Sequence, residues 1–323
     1  MNSGSLEGKS ILITGACGFI GSHLTDSIIS CQKPKKIILA DNLSTGSLGN
    51  LGNNIDNQIV VFKEGDVSNY EFCETIVQGV DIIIHQAALG SVPRSLENPI
   101  ASHLSNSTGF LNLLFAASQA KVQKFIYASS SSVYGDELIL PKKENKIGLP
   151  LSPYAVTKLT NELYAHVFNS HDHMKIVGLR YFNVFGPRQE ADSGYAAVIP
   201  KFIAKMIKGE DVIIYGNGQQ KRDFTYVSNV VNANLKLACM DIAAISGQVF
   251  NIAASNPVTV LEVFNHLARK LNYNRPPVFQ DRRKGDIENS FADISKASVS
   301  FGFVPELNLE KGLDLTIDWF KNR

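Results

Sequence analysis

Through its first 180 residues the chain alternates between short, continuous apolar runs and longer stretches in which apolar positions recur every three or four residues. The apolar runs fall at 10–14, 36–40, 59–63, 81–85, 124–128 and 175–180. Most are rich in Ile and Val, as suits strands buried on both faces. Helical periodicity lies between them, from Phe19 onward, over 106–120 and over 154–169. Strand–helix units repeated at this spacing predict a parallel sheet with helices on both faces. After residue 180 the loops lengthen and gain Gly and Pro, as in Phe185-Gly186-Pro187-Arg188, Tyr215-Gly216-Asn217-Gly218 and Asn274-Arg275-Pro276-Pro277. The pattern predicts an α/β chain with a doubly wound parallel sheet over 1–180 and a smaller α/β domain over 181–323. Residues 224–253 are expected to return to the first domain.

Ligands of such sheets bind beyond the carboxyl ends of the strands. After the first run stands Gly15-x-x-Gly18-x-x-Gly21, which opens the first helix. Gly15 permits the sharp turn, Gly18 lets a ligand approach the backbone, and Gly21 lets the helix sit close to the sheet. The N–H groups of the helix start then face a pyrophosphate. Asp41 ends the second run, Asn42 follows it, and no Arg stands beside it. A carboxylate there bonds the ribose hydroxyls of NAD and repels the extra phosphate of NADP. The sheet is therefore expected to be of the Rossmann type, with NAD as cofactor.

Composition narrows the classes. The chain has 323 residues, 44% of them hydrophobic, enough for one large or two smaller domains. A formal net charge of +1 favours neither nucleic acid nor an anionic membrane as partner. No apolar run approaches the ~20 residues of a membrane span, and residues 1–9 are short and polar. The four cysteines form no CxxC pair, so they are expected to be reduced thiols of a cytoplasmic protein, with no metal site. His171-Asp172-His173 reads as a polar turn and His85 as a hydrogen-bonding residue of a strand-end loop.

Candidate chemistry lies in two places. Tyr154 and Lys158 are four apart in a helical pattern, so both project from one face. A tyrosine is a base near neutral pH only if its pKa falls by about three units, roughly 4 kcal/mol, and a nearby ammonium works in that direction. Alone, this spacing also fits an ordinary surface pair. Ser129-Ser130-Ser131-Ser132 follows the fifth run. A hydroxyl there can face the tyrosine and share a substrate oxygen, although a Ser-rich turn reads the same way.

The glycine turn, strand-end serines and Tyr154/Lys158 come in the order of the extended short-chain dehydrogenase/reductases, and the whole chain resembles their NAD-dependent nucleotide-sugar epimerases. It more specifically resembles bacterial UDP-N-acetylglucosamine 4-epimerases. The matching stretches are His85 to Ser95, Leu151 to Lys158, Leu179 to Gly186, Gly194 to Lys201, Arg222-Asp223-Phe224 and Ala292 to Ala297. The resemblance implies that Tyr154 removes the proton of the sugar 4-hydroxyl, that Lys158 holds the nicotinamide ribose and lowers the tyrosine pKa, and that Ser130 assists. It implies NAD contacts at Gly15, Gly18, Phe19, Ile20, Asp41, Asn42, Asp66, Val67, Gln86, Ala87, Ala88, Asn106 and Tyr181, with Ser44, Thr45 and Gly46 over the adenosine end. UDP-sugar contacts would come from Ser91, Arg94, Ser130, Ser132, Tyr154, Asn183, Ala197, Val198 and Ser290. Arg222 and Arg283 would hold the diphosphate, and Asn183 and Asp286 would lie near the diphosphate and uridine ribose. The implied reaction is reversible oxidation at C4: a 4-keto sugar turns over and takes hydride back on its other face. The family also implies a homodimer built through a four-helix bundle, with 106–120 and 154–169 as its helices.

Two features discriminate among members. The related 4,6-dehydratases carry an acidic pair where Ser131 and Ser132 stand here, so elimination of water is not expected. Ser290 occupies a wall of the sugar pocket that is small when N-acetyl sugars fit. UDP-GlcNAc/UDP-GalNAc is the expected pair. UDP-glucuronate, for which 90–94 could cradle a carboxylate, and UDP-glucose/UDP-galactose remain alternatives, as does, more remotely, a dinucleotide-binding protein without catalysis.

Overall fold

The computed structural model describes residues 5–192, 194–282 and 288–322. Its centre is a seven-stranded parallel sheet. Six strands come from the first half: β1 (Ser10–Thr14), β2 (Lys36–Asp41), β3 (Val60–Glu64), β4 (Ile82–His85), β5 (Lys124–Ser130) and β6 (Lys175–Tyr181). The seventh, Val249–Ile252, lies beside β6, giving the order seventh–β6–β5–β4–β1–β2–β3. Direction of winding reverses between β1 and β4, and a cleft opens there at the carboxyl ends.

Period-two alternation within β1 divides the core into two layers. Ile11 and Ile13 face the side of α1 (Phe19–Cys31), where Leu24 and Ile28 are also fully buried. Leu12 faces the other side, packed with Ile76 of α2 (Tyr70–Ile76) and Phe110, Leu113 and Leu114 of α5 (Gly109–Gln119). Each such buried aliphatic or aromatic side chain contributes about 1.5–3 kcal/mol. Between β4 and α5 run α3 (Val92–Glu97), α4 (Pro99–His103) and one π turn, Leu104–Thr108. The helix α6 (Pro153–His171) leads into β6.

In the C-terminal region α7 (Val198–Ile207) packs on α9 (Val260–Leu271), with Phe202 edge-on to Phe264. A capping box between Thr259 and Glu262 starts α9. The helix α8 (Val227–Cys239) lies between α7 and α9 in the chain but packs beside α1. Lys221–Arg222 pairs with Asn289–Ser290 and with Val258–Thr259 in a three-stranded sheet.

Two differences from the sequence reading matter for the site. The fifth strand continues to Ser130, so Ser129 and Ser130 hold fixed strand geometry instead of belonging to a turn. The helix read over 106–120 begins with the π turn, which puts Asn106 on its inner side.

Candidate active site

The cleft at the switch point has a volume of about 570 Å³ and runs from the ends of β2 and β3 to the start of α6. At its floor Gly15 has φ of +66°, and a Cβ there would lie 2.6 Å from the Ala87 nitrogen. A Cβ on Gly21 would stand 2.1 Å from the Gly15 carbonyl oxygen. Both positions therefore require glycine. Gly18 caps α1 without a side-chain bond, so the first N–H groups of the helix are left for an anion.

At one end of the cleft stand two carboxylates. Asp41 accepts from the backbone N–H of Cys17 at 2.9 Å and of Leu43 at 2.8 Å. Asp66 accepts from Ser68 N–H at 2.8 Å and from the Asn42 amide at 2.7 Å. Burial raises the Asp66 pKa, but these bonds outweigh it and leave the group below its ordinary value. Phe19, Ile20, Ser44, Thr45 and Val67 line the same end. Cys17 beneath it is pushed up to about 12 by burial and then by Asp41, which leaves an unreactive thiol.

At the other end α6 presents Tyr154 and Lys158. Ser152 caps this helix through the Ala155 N–H at 3.2 Å, and Pro153 occupies its first turn. Ser130 accepts from both the N–H (3.1 Å) and hydroxyl (3.0 Å) of Ser132, so its own proton is directed to the Tyr154 hydroxyl. Lys158 donates to the Ala128 carbonyl at 2.9 Å, and its ammonium lies 6.0 Å from the Tyr154 ring centre. Burial raises the Tyr154 pKa, and only the Ser130 bond opposes it. The lowering by Lys158 expected from the sequence does not act here, because the ammonium is turned to the Ala128 carbonyl. Gln86 donates to the Tyr181 hydroxyl at 3.1 Å and Asn234 does so at 2.8 Å, fixing the cleft wall beside Ala87 and Ala88. Ser91 and Asn183 also line the cleft.

Other candidates stand elsewhere. Asn106 is buried, with its amide bonded to the N–H (2.7 Å) and C=O (3.1 Å) of Leu89 and to Thr157 at 3.2 Å. It braces the loop after β4 and does not line the cleft. Gly46 packs on the Cys17 backbone, where a Cβ would come within 2.7 Å. Arg94 stacks 4.8 Å over the Tyr195 ring, and the Tyr195 hydroxyl donates to Glu97. Ala197 caps α7 and Val198 begins it, packed on the core. Arg222 donates to the Glu288 carbonyl at 2.8 Å, and Ser290 accepts from Asp223 N–H through its backbone at 3.1 Å; neither lines the cleft. Arg283 and Asp286 lie outside the described residues. His85 pairs with Thr14 at 2.7 Å, one strand away, instead of with its own loop, and burial lowers its pKa to about 3.

A turn that admits only glycine, uncapped helix N–H groups and a carboxylate at the end of β2 are what a dinucleotide needs, and the cleft lies within the roughly 300–1,000 Å³ usual for such sites. Residues 11–253 match the model of the NAD dependent epimerase/dehydratase family. The chain belongs to that family, and NAD is its cofactor. Among solved structures it is similar to a UDP-N-acetylglucosamine 4-epimerase from Methanobrevibacter ruminantium M1 in complex with UDP-N-acetylmuramic acid (38% identity, TM-score 0.92, 98% of this chain and 99% of that one). It is likewise similar to a Thermotoga maritima UDP-glucose 4-epimerase with UDP-glucose (36%, 0.89, 97% and 99%). A Bacillus cereus UDP-glucuronic acid 4-epimerase with UDP-glucuronic acid and NAD matches at 32% identity and TM-score 0.88, over 97% and 99%.

The sequence reading missed Glu162, Arg180 and Asn234. Glu162 had a signal in its spacing, eight residues after Tyr154 and so on the same helix face. Asn234 had none, because its partner Tyr181 is brought to it only by the fold.

Proposed function

We propose that this enzyme interconverts UDP-hexoses by inverting C4, and that its substrates are UDP-GlcNAc and UDP-GalNAc. The observation that carries the reading is the distribution of charge in the cleft. Among the described residues its only carboxylates, Asp41 and Asp66, stand at the β2–β3 end, and none accompanies Ser130, Tyr154 and Lys158. One acid–base tyrosine with no second carboxylate suits proton removal from a single hydroxyl and its later return. It does not suit elimination of water. NAD, when bound, supplies reversible hydride acceptance. Tyr154 takes the 4-hydroxyl proton, Ser130 bonds the same oxygen, and Lys158 stabilises the phenolate as it forms. Residues 181–323, less 224–253, form the part that holds the UDP-sugar.

The choice of sugar rests on two further points. Ser290 is small, and the family resemblance puts its position at the wall that decides access beside C2, beyond the cleft that holds Tyr154. Among the described residues Lys158 is the one cation lining the cleft, and it is committed to Ala128, which offers little to a uronate carboxylate. Similarity to the Methanobrevibacter enzyme points the same way.

The test is an equilibration assay on purified protein with UDP-GlcNAc, UDP-glucose and UDP-glucuronate offered separately and products resolved by chromatography. Formation of UDP-GalNAc is expected, and turnover of UDP-glucuronate alone would refute the sugar assignment. Ser290→Tyr is expected to abolish turnover of the acetylated pair while sparing the plain hexoses. Equal loss of both would remove Ser290 from the argument.

A further inference from the structure

Behind the catalytic pair lies a buried charge cluster that the proposed chemistry leaves unused. Tyr154, Lys158 and Glu162 stand at i, i+4 and i+8 on the inner face of α6. Ser129 and Arg180 are direct partners across β5 and β6, so both side chains rise from the same face of the sheet toward that helix. One oxygen of Glu162 accepts from the Ser129 hydroxyl at 2.5 Å and from Arg180 Nε at 2.9 Å. Its other oxygen accepts from Arg180 Nη2 at 2.7 Å. The pair is sequestered, with side-chain exposures of 3% for Arg180 and 8% for Glu162. A buried charge pair costs desolvation that its attraction scarcely repays, so stability alone does not explain it.

We propose that Glu162 is a positioning residue: its carboxylate pins the serine-bearing end of β5 to the Tyr–Lys face of α6 and sets the charge that Lys158 meets. The inference rests on the reading of Tyr154 as the base. Ser129 adjoins Ser130, whose hydroxyl bonds Tyr154, so the pin governs the Ser130–Tyr154 separation. Lys158 is one turn before Glu162 and feels its negative charge. The groups facing this cluster come from every neighbouring element. They are His85 from β4, Tyr127 from β5, Arg180 from β6, Tyr134 stacked 4.9 Å from the Arg180 guanidinium, Glu144 whose carbonyl accepts from Arg180, and Lys296. Within the cluster Glu162 is the carboxylate that bonds both sheet strands at once.

Three variants separate charge from position. Glu162→Gln keeps the shape and removes the negative charge, leaving Arg180 uncompensated. The Lys158 ammonium is then disfavoured, so the alkaline limb of the kcat–pH profile is expected to move to lower pH, with kcat down about 10- to 100-fold. Ser129→Ala breaks the pin at the strand and leaves the charges alone. It should lower kcat with KM unmoved, and the limb set by Tyr154 should move to higher pH as the Ser130 bond slackens while that of Lys158 stays. Glu162→Asp keeps the charge and shortens the reach, so its Lys158 limb should coincide with that of the parent enzyme while its rate falls. A Glu162→Gln profile that superimposes on the parent's, with only the melting temperature lowered, would overturn the proposal. If that variant does not fold, wild-type kcat in Ser129→Ala overturns it instead. The Tyr154 titration is also read without substrate, as phenolate absorbance in the near ultraviolet relative to Tyr154→Phe. A parent enzyme that turns over no UDP-sugar would defeat the function above, whereas this titration still decides the role of Glu162.

Discussion

Lys158 is 2% exposed, and burial lowers its pKa from the usual lysine value to about 8, against the opposing pull of Glu162. A folded-state pKa below that of the unfolded chain means that folding disfavours the ammonium. The cost is fully present below about pH 8 and is relieved as pH rises through that value. A shift of this size corresponds to roughly 3 kcal/mol, of which the lost bond to Ala128 would give back about 1. Lys158→Met is therefore expected to melt about 2–4 °C higher than the parent at neutral pH without added cofactor, while losing about 10²–10⁴-fold in turnover. Thermal unfolding and the epimerisation assay together check it. A variant that is inactive and also less stable would mean that the ammonium is a structural support. By the same sign, turnover of the parent enzyme should fall as pH rises through about 8, where the proton leaves Lys158.

The π turn is the element that joins the loop after β4 to α6. It carries Asn106, whose amide closes on both backbone groups of Leu89 and on Thr157, and the Thr157 hydroxyl in turn donates to the Tyr154 carbonyl at 2.8 Å. Asn106→Leu would strip partners from a buried N–H and C=O, at about 1–3 kcal/mol each. The variant is expected to melt lower and to lose NAD on gel filtration, read as a fall in the ratio of absorbance at the nucleotide and protein maxima. Retention of NAD at the parent level would show that the loop after β4 holds its shape unaided. Elements of this kind mark the boundary of what can be read from residue order. The strands were legible because a parallel strand buried on both faces is a bare apolar run, as in Ile82-Ile83-Ile84. Tyr154 and Lys158 were legible because four-residue spacing on a helix is a local fact. Asn106, Arg94 and Arg222 were not. Which way each side chain turns depends on partners at Leu89, Tyr195 and Glu288 that only the tertiary structure supplies.

At the scale of the whole molecule, the outer side of the layer formed by α3 to α6 is unusually apolar. Leu163 is 61% exposed and Val167 52%, one turn apart on α6, with Val156 exposed on the same helix. Phe115 on α5, Leu96 on α3 and Ile100 on α4 are exposed as well. An apolar surface spread over four helices is what a monomer rarely leaves to water, and two antiparallel helices from each of two chains can bury it as a four-helix bundle. Tyr154, Lys158 and Glu162 occupy the opposite face of α6, so the same helix would serve the interface on one side and the site on the other. The homodimer implied by family resemblance is expected to form here. In sedimentation-velocity runs the parent protein should travel as a dimer and the double variant Leu163→Glu, Val167→Glu as a folded monomer with unchanged circular dichroism. A parent that sediments as a monomer would refute the assignment. A variant that remains a dimer would move the interface to another face. Because α6 would lose its outer support in the monomer, the variant should also turn over more slowly without a change in the pH at which its limbs fall. That pattern separates loss of helix rigidity from any change in the charge around Tyr154.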